Sequence, residues 1–79
     1  MSRRHATTLG TRQARTLGAR IREARLQQNL TQEDLGERVG VSSEHISKLE
    51  RGLGNPTIGL LLGLSTELAV TAAQLVEGL

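Results

Sequence analysis

The stretch Leu30–Gly52, LTQEDLGERVGVSSEHISKLERG, constrains this chain more than any other part of it. Its apolar residues fall at Leu35, Val39, Val41, Ile46 and Leu49. That spacing fits two short helices joined by a tight turn, with Gly36 and Gly40 where two helix backbones have to come close. Thr31 is placed to cap the first helix, Gln32–Val39, with Glu33 and Asp34 in its first turn where the helix dipole favours acids. Ser42 is placed to cap the second, from Ser43 to about Arg51.

The other elements follow from the same signals. A first helix is expected from about Leu17 to Gln28, with Leu17, Ile21 and Ala24 on one side, Thr16 as N-cap and Asn29 in the left-handed region at its end. A fourth helix begins after Thr57 and runs to about Leu68, with Ile58, Leu61, Leu64 and Leu68 on one face. Gly59 and Gly63 inside it each cost about 1 kcal/mol relative to Ala, so it depends on tertiary support. A fifth helix opens on the capping box Thr71-Ala72-Ala73-Gln74 and carries Leu75, Val76 and Leu79. No segment alternates like a strand, and the expected fold is all-α, with five short helices.

With 79 residues the chain is one domain. Two regions are expected: a basic, flexible N-terminal arm over residues 1–15 and a helical domain over 16–79, with a backward extension of the first helix over Arg12–Arg15 as the alternative. The formal net charge of +2 hides a polarity along the chain. Residues 1–25 hold Arg3, Arg4, Arg12, Arg15, Arg20, Arg22 and Arg25 against the single acid Glu23. Residues 52–79 hold Glu67 and Glu77 and no Lys or Arg. A basic face suited to phosphates and an apolar, weakly acidic end suited to another contact are implied.

Several classes of function are disfavoured. With no Phe, Tyr or Trp, there is no aromatic platform for stacking single-stranded bases. With no Cys, there is no disulfide or thiolate metal site, and a cytoplasmic location is the simplest reading. No apolar run approaches the length of a membrane span. His5 and His45 lie far apart, and Ser42 and Ser43 before His45 form no nucleophile–base–orienter set. Gly52-Leu53-Gly54 follows no strand and precedes no Lys-Ser/Thr, so it is not a phosphate loop. No enzyme activity, metal or other cofactor is expected.

Two helices in this arrangement form a helix-turn-helix, whose second helix enters the DNA major groove. The pieces LGARIREARLQQNLTQEDL, VGVSSEHISKLERGLGNPT and LLLGLSTELAVTAAQL, in this order and spacing, resemble the Cro/repressor-type (Xre) helix-turn-helix family over Leu17–Leu75. The resemblance implies a compact five-helix DNA-binding domain of the lambda-repressor kind. It implies base-facing positions for Ser42, Ser43, Glu44 and Lys48, with Ser47 beside them. It also implies phosphate-facing positions for Gln32 and Arg51, a small-residue crossing at Gly36, a turn glycine at Gly40 and buried Ile46 and Leu49. Arg25 and Glu50 match a buried ion pair between the first and third helices. Ser43 stands where several phage repressors have a Gln that reads adenine, so their operators do not transfer to this chain.

Chemistry adds to that assignment. Lys48 suits guanine O6 and N7, and Glu44 suits the cytosine N4 amino group. A carboxylate near phosphates needs a donor, and Lys48 at i+4 is the expected partner of Glu44 in the free protein. Asn55 is a further phosphate candidate; Arg20 and Arg22 suit DNA or solvent, and Arg3 and Arg4 suit a disordered arm or, as the second reading, an adjacent minor groove. One recognition helix reads too few base pairs for specificity in a genome, so a homodimer on a palindromic or near-palindromic double-stranded operator is expected. With Leu61, Leu64 and Leu68 filling the inner face, Leu60, Leu62, Val76 and Leu79 remain for the dimer interface. The chain has no room for an effector domain beside this one, which points to an autoregulatory repressor or controller. The rival reading is a protein-binding adaptor, such as an antitoxin or coactivator, that uses the apolar C-terminal patch.

Overall fold

The computed structural model describes residues 9–79. Five helices follow one another: α1 (Thr11–Gln27), α2 (Gln32–Val39), α3 (Ser43–Glu50), α4 (Ile58–Leu68) and α5 (Ala72–Val76). No strand occurs among the described residues. The helices α2 and α3 pack on each other, and α1 supports α3 from behind. The α4–α5 pair closes the opposite side by packing on α1 and α2.

The core is aliphatic. Ile21, Leu35, Ile46 and Leu64 are fully inaccessible, and Leu17, Leu30, Leu49, Leu68 and Leu75 join them in one cluster. Every helix contributes to this cluster, so no helix has an independent core.

Local chemistry sets most of the boundaries. Thr31 Oγ1 accepts from the Asp34 N–H at 2.9 Å, and Asp34 Oδ2 accepts from the Thr31 N–H at 3.0 Å, a reciprocal box that starts α2. Ser42 caps α3 through the His45 N–H, and Thr57 caps α4 through the Leu60 N–H. Thr71 and Gln74 cap α5 in both directions. Asn29 turns the chain out of α1 with φ of 58°.

The first helix departs from expectation. It starts at Thr11 after Gly10, and not at Leu17 after Thr16. Gln13 Oε1 accepts from the Gly10 N–H at 2.9 Å, so a side chain inside the helix satisfies the backbone before it. Buried Ala14 extends the Leu17–Ile21 stripe backwards and gives the extra turn a place in the fold. Residues 11–15, expected in a flexible arm, are therefore helical. Arg3, Arg4 and His5 lie outside the described residues.

The fourth helix also differs in its face. Ile58 was expected inward and is 72% exposed, while Ser65 is buried beside Leu64 and Leu68. With Leu at so many successive positions, periodicity alone does not choose which of them turn inward.

Candidate nucleic-acid interface

The α2–turn–α3 unit is built by close backbone approach. Gly40 ends α2 with φ of 82°, a conformation glycine adopts without steric cost. A Cβ on Gly40 would meet nothing within 4 Å, so its role is the turn and not the helix crossing. The crossing belongs to Gly36, where a Cβ would stand 2.5 Å from the Val41 carbonyl oxygen. Behind α3, a Cβ on Gly18 of α1 would come within 2.2 Å of the Leu49 carbonyl oxygen. Gly18 was given no role in the sequence, although an unexplained glycine inside a helical stripe is itself a packing signal.

These contacts fix the rotation of α3. Ile46 is fully buried and Leu49 nearly so, which turns Ser42, Ser43, Glu44, His45 and Lys48 to the surface. Ser47 is half-buried at the edge of that face. Arg51 is exposed at the C-terminal end of α3, with its Nε 3.4 Å from the Ser47 carbonyl. The expected Glu44–Lys48 pair is not formed: the described residues contain no ion pair between them within 4.0 Å. Both side chains are long and exposed, and such a pair gains little against the entropy of holding them together. Glu44 and Lys48 therefore present a carboxylate and an ammonium on the same face, neither in an ion pair among the described residues.

The helix carrying this face is anchored by a buried charge cluster. Arg25 Nε donates to Glu50 Oε2 at 2.7 Å and Arg25 Nη2 to Glu50 Oε1 at 2.9 Å. Arg25 Nη1 donates to the Leu30 carbonyl at 2.8 Å. Gln32 Nε2 adds a fourth bond, 3.0 Å to Glu50 Oε1. Arg25 and Glu50 are only 7% and 8% exposed, so the pair lies in the interior and not on the rim. The hydrogen bonds from Glu50 raise the Arg25 pKa against the opposing effect of burial, and the guanidinium stays charged. One cluster thus joins α1, the α1–α2 loop, α2 and the end of α3.

Two other candidates are also engaged. Gln32 spends one amide N–H on Glu50 and keeps a second. Asn55 Oδ1 accepts from the Leu9 N–H at 2.8 Å, which leaves its amide group as the outward donor. Arg20 is half-buried and turned onto α5: its Nη1 lies 3.0 Å from the Leu75 carbonyl and 2.6 Å from that of Glu77. It supplies from α1 the cation that α5 lacks at its own C-terminus. Arg22 is exposed.

The apolar candidates divide. Leu60 and Leu79 are half-buried against the core, whereas Leu62 is 52% and Val76 38% exposed. Leu53 and Ile58, outside that expected set, are more exposed than either.

A helix-turn-helix model matches residues 21–75. This chain belongs to the helix-turn-helix family. The matched segment contains all of α2, α3 and α4, and it runs to the last buried leucine of α5. An uncharacterised HTH-type transcriptional regulator of Sinorhizobium fredii (strain NBRC 101917 / NGR234), y4dJ, is 38% identical over 60 residues, covering 76% of this chain and 78% of that protein. Among solved structures the fold is similar to the P22 c2 repressor in complex with a synthetic operator. That likeness has a TM-score of 0.75 at 39% identity and covers 78% of this chain and 94% of the repressor. It is also similar to the restriction–modification controller protein C.AhdI from Aeromonas hydrophila, with a TM-score of 0.77 at 29% identity over 82% of this chain and 94% of that one. Helix-turn-helix regulators of this kind are Cro/repressor-type DNA-binding proteins and not enzymes. Among the described residues no group of three or more His, Cys, Asp or Glu is placed to hold a metal, and no helix is long and apolar enough to cross a membrane.

Proposed function

We propose that this protein is a sequence-specific transcriptional regulator that binds double-stranded DNA by laying α3 in the major groove. The observation that carries the reading is the rotation of α3. Its apolar side is sealed into the core by Ile46 and Leu49 and locked by Glu50, while its polar side faces outward. Ser42, Ser43, Glu44, Ser47 and Lys48 read base edges, with Lys48 directed at guanine and Glu44 at the cytosine amino group. Gln32, Arg51 and Asn55 hold phosphates and set register without reading sequence. The P22 c2 repressor, similar in fold, is bound to a synthetic operator in its structure, which supports the same partner here.

The active species is a homodimer on two half-sites about one helical turn apart. Leu62 and Val76 are the exposed members of its expected interface, and Ile58, one turn before Leu62 on α4, extends the patch. Leu60 and Leu79 contribute through what their packing against the core leaves accessible. Coupled dimerisation and operator binding make occupancy depend steeply on protein concentration, which suits a regulator of its own gene.

The test is a gel shift with the gene's own upstream DNA at several salt concentrations, together with the molar mass in solution. A salt-dependent shift that survives excess unrelated DNA, by a protein of twice the monomer mass, is the expected result. A monomer that ignores DNA and co-purifies with another protein would favour the adaptor instead.

A further inference from the structure

Leu53 is 63% exposed, yet its backbone is held firmly. Its N–H donates to the Lys48 carbonyl at 2.9 Å, directly after the left-handed Gly52 with φ of 78°. A Cβ on Gly52 would stand 2.9 Å from Arg15 Cα, so α1 presses on this turn and fixes its path. On its far side the loop is tied by Asn55 Oδ1, which accepts from the Leu9 N–H. The result is a rigidly mounted leucine side chain in contact with solvent.

Its position matters more than its exposure. Leu53 and Asn55 form one wall of a shallow depression whose other wall is the outward face of α3, including Ser42, Glu44 and Lys48. Ser42, Glu44, His45, Lys48 and Asn55 line it with polar groups, and its other leucine, Leu49, is buried in the core, so Leu53 is the exposed apolar side chain in its lining. In the major groove, the one apolar group that base pairs present is the C5 methyl of thymine.

We infer that Leu53 is a specificity-determining residue that recognises a thymine methyl beside the bases read by α3. This rests on the proposed DNA-binding function and adds an apolar reader outside the recognition helix. Hydrogen-bonding residues on α3 then choose among G, C and A edges, while Leu53 favours thymine over cytosine at a neighbouring position. Ser or Asn there would lose this preference without disturbing the core, because the side chain supports nothing internal.

The experiment compares the full chain and its Leu53→Ala variant on an operator obtained by selection from random duplexes. Each thymine is replaced in turn by deoxyuridine, which removes the methyl and nothing else. The wild-type protein is expected to lose about fourfold in affinity at one thymine per half-site, the scale of one buried methyl group. Leu53→Ala is expected to lose a similar factor on the thymine operator and to be indifferent to the deoxyuridine replacement. Circular dichroism of the variant should match the wild type, since Leu53 lies outside the core cluster. Equal weakening of thymine and deoxyuridine operators by Leu53→Ala would overturn the inference, because contact with a sugar would then account for it. Tight binding by the wild type with no response to any methyl would overturn it while leaving the DNA reading intact. Failure to select any site would overturn the DNA reading and this inference together.

Discussion

Arg25 and Glu50 show how much one pair of side chains carries in a domain this small. A surface ion pair such as Arg38–Glu67, at 3.8 Å, contributes about 0–1 kcal/mol. Removing one partner of a buried pair strands the other charge, at about 3–5 kcal/mol. Arg25→Ala is therefore expected to lower the melting temperature far more than Arg22→Ala, whose side chain is exposed. Equal melting temperatures would remove the cluster from the account. Glycines separate in the same way. Gly18→Ala drives a methyl into the backbone of α3, where no rotamer change relieves it, and should destabilise by about 1–3 kcal/mol. Gly63→Ala places its methyl 3.7 Å from Val39 Cγ1, an ordinary contact, and should stabilise by about 1 kcal/mol through helix propensity. Thermal or urea unfolding of the two variants checks both signs. At the interface, Glu44 has no cationic partner within ion-pair distance among the described residues, so its carboxylate repels phosphate unless cytosine is present. Glu44→Ala is expected to keep or raise affinity for random DNA while relaxing the selected sequence, as measured by competition binding. Uniform weakening on all sequences would contradict this role.

At the scale of helices, hydroxyl caps made the starts of α2 to α5 legible, because each cap bonds to a backbone N–H three residues ahead. The start of α1 was not legible. Gly10 has no capping side chain, and Thr16, which looks like a cap, lies mid-helix. Leucine-rich α4 hid its inward face for want of polar contrast. The support for α5 was equally hidden, since Arg20 and Gln13 bond to backbone carbonyls of the C-terminal segment, acceptors that no residue type announces. The face of α3 was more legible, because Ile46 and Leu49 are its only large apolar residues and their burial fixes the rest. The cap of α2 also gives a pH dependence. The Thr31 backbone N–H, and next the Thr31 hydroxyl, hold the Asp34 carboxyl below the ordinary carboxylate range. A depressed folded-state value stabilises fully above the unfolded-state range and is lost as pH falls through the folded-state value. Melting temperature measured down through the acid range should therefore fall less steeply for Asp34→Asn than for the wild type. Parallel curves would show that the cap does not titrate with folding.

For the whole molecule, function depends on a division of labour. The arginine-rich first helix and the helix-turn-helix form one continuous support, with Arg25, Gly18 and Gly52 all joining α1 to α3 or its end. The charge-poor C-terminal helices leave Ile58 and Leu62 exposed one turn apart, the patch assigned to the second copy in the proposed dimer. Ile58→Lys combined with Leu62→Lys should leave the helical content unchanged, yield a monomer by sedimentation and weaken operator binding. A stable dimer in that variant would place the interface elsewhere. All of this serves the claim that the outward face of α3 reads base sequence, and selection of bound duplexes from a random pool tests it most directly. The expected result is enrichment of a two-fold-related motif whose half-site preference changes on substitution of Ser43, Glu44 or Lys48. A pool that stays random, or a motif indifferent to all three substitutions, would contradict it.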